Sequence, residues 1–260
     1  MATMERFAHS RALITGGSRG IGAAVARRLA AEGAAVAITY RANAGLAGAL
    51  IAELTGAGHT AFALPGDVRD RAAAHAVARQ AADRLGGLDV LVSNAGVEYF
   101  GPLAGITEHD FRHVFDTNVA GQLWAVQAAV PLMTGGGRIV LMSSVSSTIA
   151  VFQHSVYAAS KAAVVALARN LAPELAAQNI AINAIAPGGT ATDMATENAR
   201  HYTHPLLREH DLPAHTQIGL HASLGRLAEP AEIAAAIAFL ASPDAAYLNG
   251  GTLAADGGWM

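Results

Sequence analysis

The sequence predicts an α/β domain built on a single doubly wound parallel sheet with helices on both faces. Three observations carry this. Short β-rich runs alternate with Ala/Leu-rich stretches of helical length along the chain. The strand-like runs are apolar on consecutive residues, as in strands covered on both sides. The chain has 260 residues, 52% of them apolar and only 14% charged. An average soluble domain carries about 25% charged residues, so the composition suits one large buried core.

Residues 12–15 read as the first strand and 22–33 as the helix that follows. Residues 35–40 form the second strand and 45–55 the second helix. A third strand at 61–64, a third helix at 71–85 and a fourth strand at 90–93 continue the alternation. Later strands fall at 138–142, 180–185 and 252–254, with helices around 118–133 and 157–175. Gly86-Gly87, the glycines at 135–137 and Pro187-Gly188-Gly189 punctuate the element ends.

Composition excludes several classes. A net charge of −3 without an Arg stripe argues against a nucleic-acid surface. Without Cys there are no disulfides, thiol catalysis or Cys-based zinc sites, which suits a cytoplasmic protein. The longest apolar run, residues 233–241, is about half a membrane span. The first ten residues carry Glu5 and Arg6 and lack an apolar signal core. Of the 17 basic residues sixteen are Arg, and the single lysine is Lys161.

Residues 194–224 break the rhythm, holding five of the eleven His and little apolar periodicity. A long irregular stretch inside one compact domain (here 1–260) commonly serves as a functional lid, and a substrate lid is the expectation. His201 and His204 could share a helix face, but no carboxylate–His constellation surrounds them. A polar lid surface with no metal is the reading.

Thr15-Gly16-Gly17-Ser18-Arg19-Gly20-Ile21-Gly22 follows the first strand and opens a helix. Glycines there permit a tight turn and close approach of the backbone to a pyrophosphate, which the helix N-terminus then attracts. A plain βα turn could also use glycines; the strand-before, helix-after context favours a dinucleotide. An NAD site usually places a carboxylate about 20 residues past the glycines. No Asp or Glu lies between Glu32 and Glu53; Arg41 stands there instead, and Arg19 sits in the loop. Two guanidinium groups suit a 2′-phosphate, so NADP(H) is expected. The alternative is two ordinary surface arginines in an Arg-rich chain.

Tyr157 and Lys161, four residues apart in a helical stretch, share a face. A free phenol ionises near pH ~10, and a neighbouring cation favours its phenolate. Taken alone, such a pair is more often an exposed helix face. The ordered set Thr15-Gly-x-x-x-Gly20-x-Gly22, Asn94-Ala95-Gly96, Asn118, Ser144, Tyr157-x-x-x-Lys161 and Pro187-Gly188 changes that weight. Together these segments resemble the short-chain dehydrogenase/reductase family, over nearly the whole chain from Arg11 to Asp256-Gly257-Gly258.

The resemblance implies a Rossmann-type fold and a set of roles. Tyr157 matches the general acid, Ser144 the residue that polarises the substrate oxygen, and Asn118 the holder of a relay water. Lys161 matches the lysine that lowers the tyrosine pKa and binds the nicotinamide ribose. Gly16, Ser18, Arg19, Gly20, Ile21, Gly22 and Arg41 are expected at the phosphates, and Asp67 and Val68 at the adenine. Asn94, Ala95, Gly96, Pro187, Gly188, Thr190 and Thr192 are expected along the cofactor. Substrate should meet Ser144, Tyr157, Gly188 and Met194. Ser93 departs from the Asn found before Asn-Ala-Gly in many members, with a minor effect expected.

Thr39-Tyr40-Arg41, residues 186–194 and Leu224-Gly225-Arg226 look like oxoacyl-carrier-protein reductases. Residues 154–162 and the ending Asp256-Gly257-Gly258-Trp259-Met260 are also similar to polyhydroxynaphthalene and polyketide ketoreductases. Both imply an NADPH-linked reduction of a small-molecule ketone to a secondary alcohol. Carrier docking wants basic residues at the entrance, and the lid offers only Arg200, Arg208 and Arg226; a free ketone, cyclic ones included, is favoured. Two other classes stay open: an NAD-dependent secondary-alcohol dehydrogenase, and a non-catalytic dinucleotide-binding regulator, against which both Tyr157 and Lys161 speak. The family resemblance further implies a homotetramer, or a homodimer, through the helices around 118–133 and 157–175.

Overall fold

The computed structural model describes residues 5–202, 216 and 221–259. Its strands are β1 (Arg11–Thr15), β2 (Ala35–Tyr40), β3 (Ala61–Pro65), β4 (Val90–Ser93), β5 (Gly137–Met142), β6 (Ile180–Pro187) and β7 (Thr252–Ala255). They form one parallel sheet in the order β3-β2-β1-β4-β5-β6-β7. Its helices are α1 (Gly20–Ala31), α2 (Ala44–Gly56), α3 (Arg71–Leu85), α4 (Glu108–Phe115), α5 (Gly121–Ala129), α6 (Ser155–Ala176), α7 (Asp193–Tyr202) and, after the second gap in the described residues, α8 (Pro230–Ala241).

The apolar-throughout strands do what their pattern demands. In β1, Leu13 packs into the layer formed with α3, α5 and α6, while its neighbour Ile14 packs into the opposite layer with α1, α2 and α8. Val25 and Leu29 of α1 meet Ile233 and Ile237 of α8 over the sheet. Sheet order reverses between β1 and β4, so the loops at their C-terminal ends part and leave a crevice. Doubly wound folds bind ligands at this point.

Local chemistry explains the helix starts. Asp70 accepts from the N–H groups of Ala72 and Ala73 to begin α3, and Gly86 ends it at φ 82°. Thr107 and Asp110 form a reciprocal capping box for α4, and Glu229 with Glu232 does so for α8, behind Pro230. Periodicity reveals neither of these two helices. The α4 run is only eight residues long, with Phe111, Val114 and Phe115 as its apolar face, and α8 is apolar on nearly every side although Ala231 and Phe239 are exposed. The apolar run half a membrane span in length is therefore a core helix. Among the described residues no helix is long and apolar enough to cross a membrane.

Other differences are at element ends. Helix α1 begins at Gly20 and stops at Ala31, rather than running over 22–33, and β6 continues through Pro187. Helix α7 occupies the start of the expected lid; residues 203–215 and 217–220, with His204, His210 and His215, lie outside the described residues.

Candidate active site

The glycine turn is stapled to the far side of the crevice. Thr15 Oγ1 accepts from the backbone N–H of Asn94 (3.0 Å) and Ala95 (3.1 Å), and Asn94 Nδ2 donates to Thr15 O and Gly16 O, both at 3.0 Å. Gly17 N–H donates to Thr39 O at 2.9 Å, tying the same turn to β2. Helix α1 then begins with no side-chain cap. Its first N–H groups are left to the cleft, which Ser18, Arg19, Gly20 and Ile21 line. An uncapped helix start in a polar cleft is an anion site, and the residues present fit a dinucleotide pyrophosphate.

Gly22, expected at the phosphates, sits instead beneath the turn and does not line the cleft. A Cβ there would lie 2.4 Å from Gly16 O and 2.6 Å from Asn94 Nδ2. Gly22→Ala is therefore expected to destabilise the fold by about 1–3 kcal/mol, as overpacking does, and to loosen the turn. Thermal unfolding checks this; an unchanged midpoint would show that the turn can yield.

Arg41 and Arg19 both line the cleft and are exposed. Arg19 Nη1 reaches Asp193 Oδ2 at 3.2 Å and Glu197 Oε1 at 3.6 Å, on the first turns of α7. Asp67 lines the same end, hydrogen-bonded by Arg69, whose side chain holds the carboxyl below the usual carboxylate range. Val68 lies beside it, and Ala95, Gly96, Pro187, Gly188, Thr190, Thr192 and Met194 continue the lining towards α6.

At that end α6 presents Tyr157 and Lys161, both buried, and the turn after β5 presents Ser144. Of the three neighbouring serines, Ser144 is the one whose side chain opposes the upward push on the Tyr157 phenol, and its Oγ accepts from the Ser146 N–H at 3.2 Å. Ser143 Oγ instead donates to Lys161 O at 2.9 Å, fastening α6 to the sheet, and Ser146 Oγ lies 3.5 Å from His154 Nδ1. Lys161 Nζ donates to Met142 O at 2.9 Å and lies 5.4 Å from the Tyr157 ring centre.

Two expectations change here. Lys161 is expected to lower the Tyr157 pKa, yet the phenol is pushed upward, first by burial and then by the charge of Glu98, with only the Ser144 hydrogen bond opposing. Lys161 itself is pushed down to about 8 by burial, against the opposing pull of Glu98. Its ammonium is directed at a backbone carbonyl rather than at the phenol oxygen. Asn118, expected to hold a relay water, does not line the cleft. Its Oδ1 accepts from Val97 N (2.8 Å), and its Nδ2 donates to Val97 O (2.9 Å) and Ser160 Oγ (3.1 Å). Set in a π-helical turn, Asp116–Ala120, it holds the Val97 backbone from both its N–H and its carbonyl. Such turns are frequent at functional sites.

Sequence reasoning misses a second layer of the site. Glu98, on the segment after β4, and Tyr202, the last residue of α7, both line the cleft. Tyr202 donates its hydroxyl to Glu98. His154, just before α6, stacks on Tyr157 with ring centres 4.4 Å apart. Glu98 stands two residues past Asn94-Ala95-Gly96, but no local pattern separates it from a surface glutamate.

Oxidoreductases with a doubly wound sheet hold their cofactor at this switch point, and the cleft places the chain in that class. It belongs to the short-chain dehydrogenase/reductase family. The family described as enoyl-(acyl carrier protein) reductase matches residues 16–260. A short-chain dehydrogenase/reductase of Aspergillus aculeatus, AacuN, is 39% identical over 249 residues, 95% of this chain and 94% of that one. The hydroxynaphthalene reductase-like protein Arp2 of Metarhizium majus is 38% identical over 98% of this chain and 97% of its own. Among solved structures, a short-chain dehydrogenase from Burkholderia cenocepacia in complex with NADP superposes with a TM-score of 0.87 at 37% identity, over 97% of this chain and 98% of that one.

Proposed function

We propose that the chain is an NADPH-dependent reductase that converts a ketone to a secondary alcohol. The observation that carries this is the convergence of Ser144, Tyr157 and buried Lys161 on one cleft that begins on an uncapped helix and two arginines. NADPH, when bound, supplies the hydride. The rest falls to the chain's own residues. As negative charge develops on the carbonyl oxygen, Ser144 Oγ hydrogen-bonds it and Tyr157 gives it the phenol proton. Both interactions are stronger in the transition state than in the ground state, which is what accelerates a reaction. Lys161 contributes positive charge and a donor for ribose hydroxyls, and Asn118 steadies the Val97 backbone.

The cleft lining includes Val97, Ile149, Val151, Met194 and Trp259 beside the polar Glu98 and Tyr202, a largely apolar surface with a polar edge that suits a ring. The relative named as hydroxynaphthalene reductase-like agrees with a cyclic ketone. A carrier-bound 3-oxoacyl group is the second reading, favoured by the family description. Following NADPH consumption with cyclic diketones, quinones and β-ketoacyl thioesters separates them: turnover confined to the thioesters would reverse the preference.

Cofactor choice has its own test. Arg41 makes no side-chain hydrogen bond among the described residues and lines the cleft, whereas Arg19 is shared with Asp193 and Glu197. Arg41→Ser should therefore lower kcat/KM for NADPH roughly 10–100-fold, the worth of a charge-assisted hydrogen bond, with little change for NADH. Equal losses with both cofactors would place Arg41 away from the 2′-phosphate.

A further inference from the structure

Two different charges make a claim on Arg19. It is the N-cap of α1, in extended backbone, and it lines the cleft at the start of that uncapped helix. Its Nη1 nevertheless donates to Asp193 Oδ2 at 3.2 Å and lies 3.6 Å from Glu197 Oε1. Asp193 and Glu197 stand one turn apart on α7 and so share a face. Carboxylates at that spacing repel one another, and Arg19 is the cation that meets both.

The segment before α7 fixes this placement. Thr190 bridges to Ala228, and the Ala191 N–H donates to Ala228 O at 2.8 Å. Thr192 Oγ1 accepts from the Ala195 N–H at 3.3 Å as α7 begins. The same Thr192 sits against the glycine turn: a Cβ built on Gly20 would come within 3.4 Å of its Cγ2. The start of α7 therefore stands beside the start of α1, and the acidic face of one meets the anion site of the other.

We propose that Asp193 and Glu197 are positioning residues for the cofactor site: they draw Arg19 towards α7, so that a phosphate must compete with them for its guanidinium, and they thereby weaken the preference for the phosphorylated dinucleotide. This rests on the NADPH reading above. One cation and two carboxylates leave the trio with a net charge of −1, so an arriving phosphate meets an arginine whose charge is already answered. NADPH carries one phosphate more than NADH and loses more by the competition. The side chains of Arg19, Asp193 and Glu197 are 41%, 63% and 65% exposed. Water and salt therefore moderate the contest, and its scale is that of surface ion pairs. An ion pair that served only to hold α7 would change stability and leave cofactor discrimination alone.

The test is an equilibrium titration of the whole protein with NADPH and with NADH, followed by nicotinamide fluorescence at low salt. It compares the parent, Asp193→Asn/Glu197→Gln, Arg19→Met and the combination of all three changes. Neutralising the two acids is expected to tighten NADPH binding about three- to tenfold, and to change NADH binding by about twofold or less. Asp193→Asn alone should give most of the gain, because Asp193 is the one hydrogen-bonded to Arg19. The gain should shrink in about 1 M salt, where charges are screened within ~3 Å. In the Arg19→Met background the same two neutralisations should alter NADPH binding by less than about twofold, the margin of independent sites. Unchanged or weaker NADPH binding in Asp193→Asn/Glu197→Gln overturns the proposal. So does an equal gain without Arg19, which would set the acids against the phosphate directly. The parent's own ratio of NADPH to NADH affinity tests the NADPH reading separately. A parent that binds NADH as tightly or more tightly refutes that reading, while the effect of the two acids is still read from the NADPH titrations.

Discussion

Tyr157→Phe should lower turnover about 10²–10⁴-fold, the range lost with a general acid, while cofactor affinity stays within a few-fold. The substitution is narrow by design. Phenylalanine preserves the ring that stacks on His154 at 4.4 Å and fills the same buried volume, so the helix and the cleft persist. What goes is the hydroxyl that lines the cleft with Ser144 and can give its proton to the carbonyl oxygen. Steady-state kinetics beside a cofactor-binding titration check this. Activity retained in the variant would remove Tyr157 from the chemistry.

Lys161→Arg is expected to cost roughly 100-fold in turnover, the scale of an ångström-sized misplacement in an active site, although it conserves charge. The ammonium is a compact point donor, seated 2.9 Å from Met142 O with its side chain buried. The wall opposite is close: a Cβ placed on Gly96 would come within 3.4 Å of Nζ. A planar guanidinium is larger, donates in a fixed fork and cannot take the same single-point seat. The sixteen arginines show that the chain favours Arg wherever a surface cation suffices. Near-parental activity in Lys161→Arg would make the lone lysine incidental.

The frame was legible in the sequence because two-sided burial writes itself as unbroken apolar runs. Val90–Ser93 and Ala35–Tyr40 stand where their patterns put them. Periodicity failed for α4 and α8, one too short to establish a repeat and one too apolar to show a face. At the site, residues with a distinctive local setting were found: the glycine turn, Ser144, Tyr157 and Lys161 all reach the cleft. Gly22 and Asn118 carry the same local signature, but their side of the backbone faces packing partners, which spacing cannot reveal. Glu98, His154 and Tyr202 meet only through the fold, from three separate segments. The upward push on Tyr157 comes first from burial and then from Glu98, neither of which local spacing shows.

The most direct test of the account is a comparison of kcat/KM for NADPH and NADH, with alcohol formation measured alongside cofactor consumption, on the best cyclic ketone. NADPH should be preferred by tenfold or more, with one secondary alcohol formed for each NADPH consumed. NADH serving equally well or better, or no ketone drawing hydride from NADPH, would contradict it.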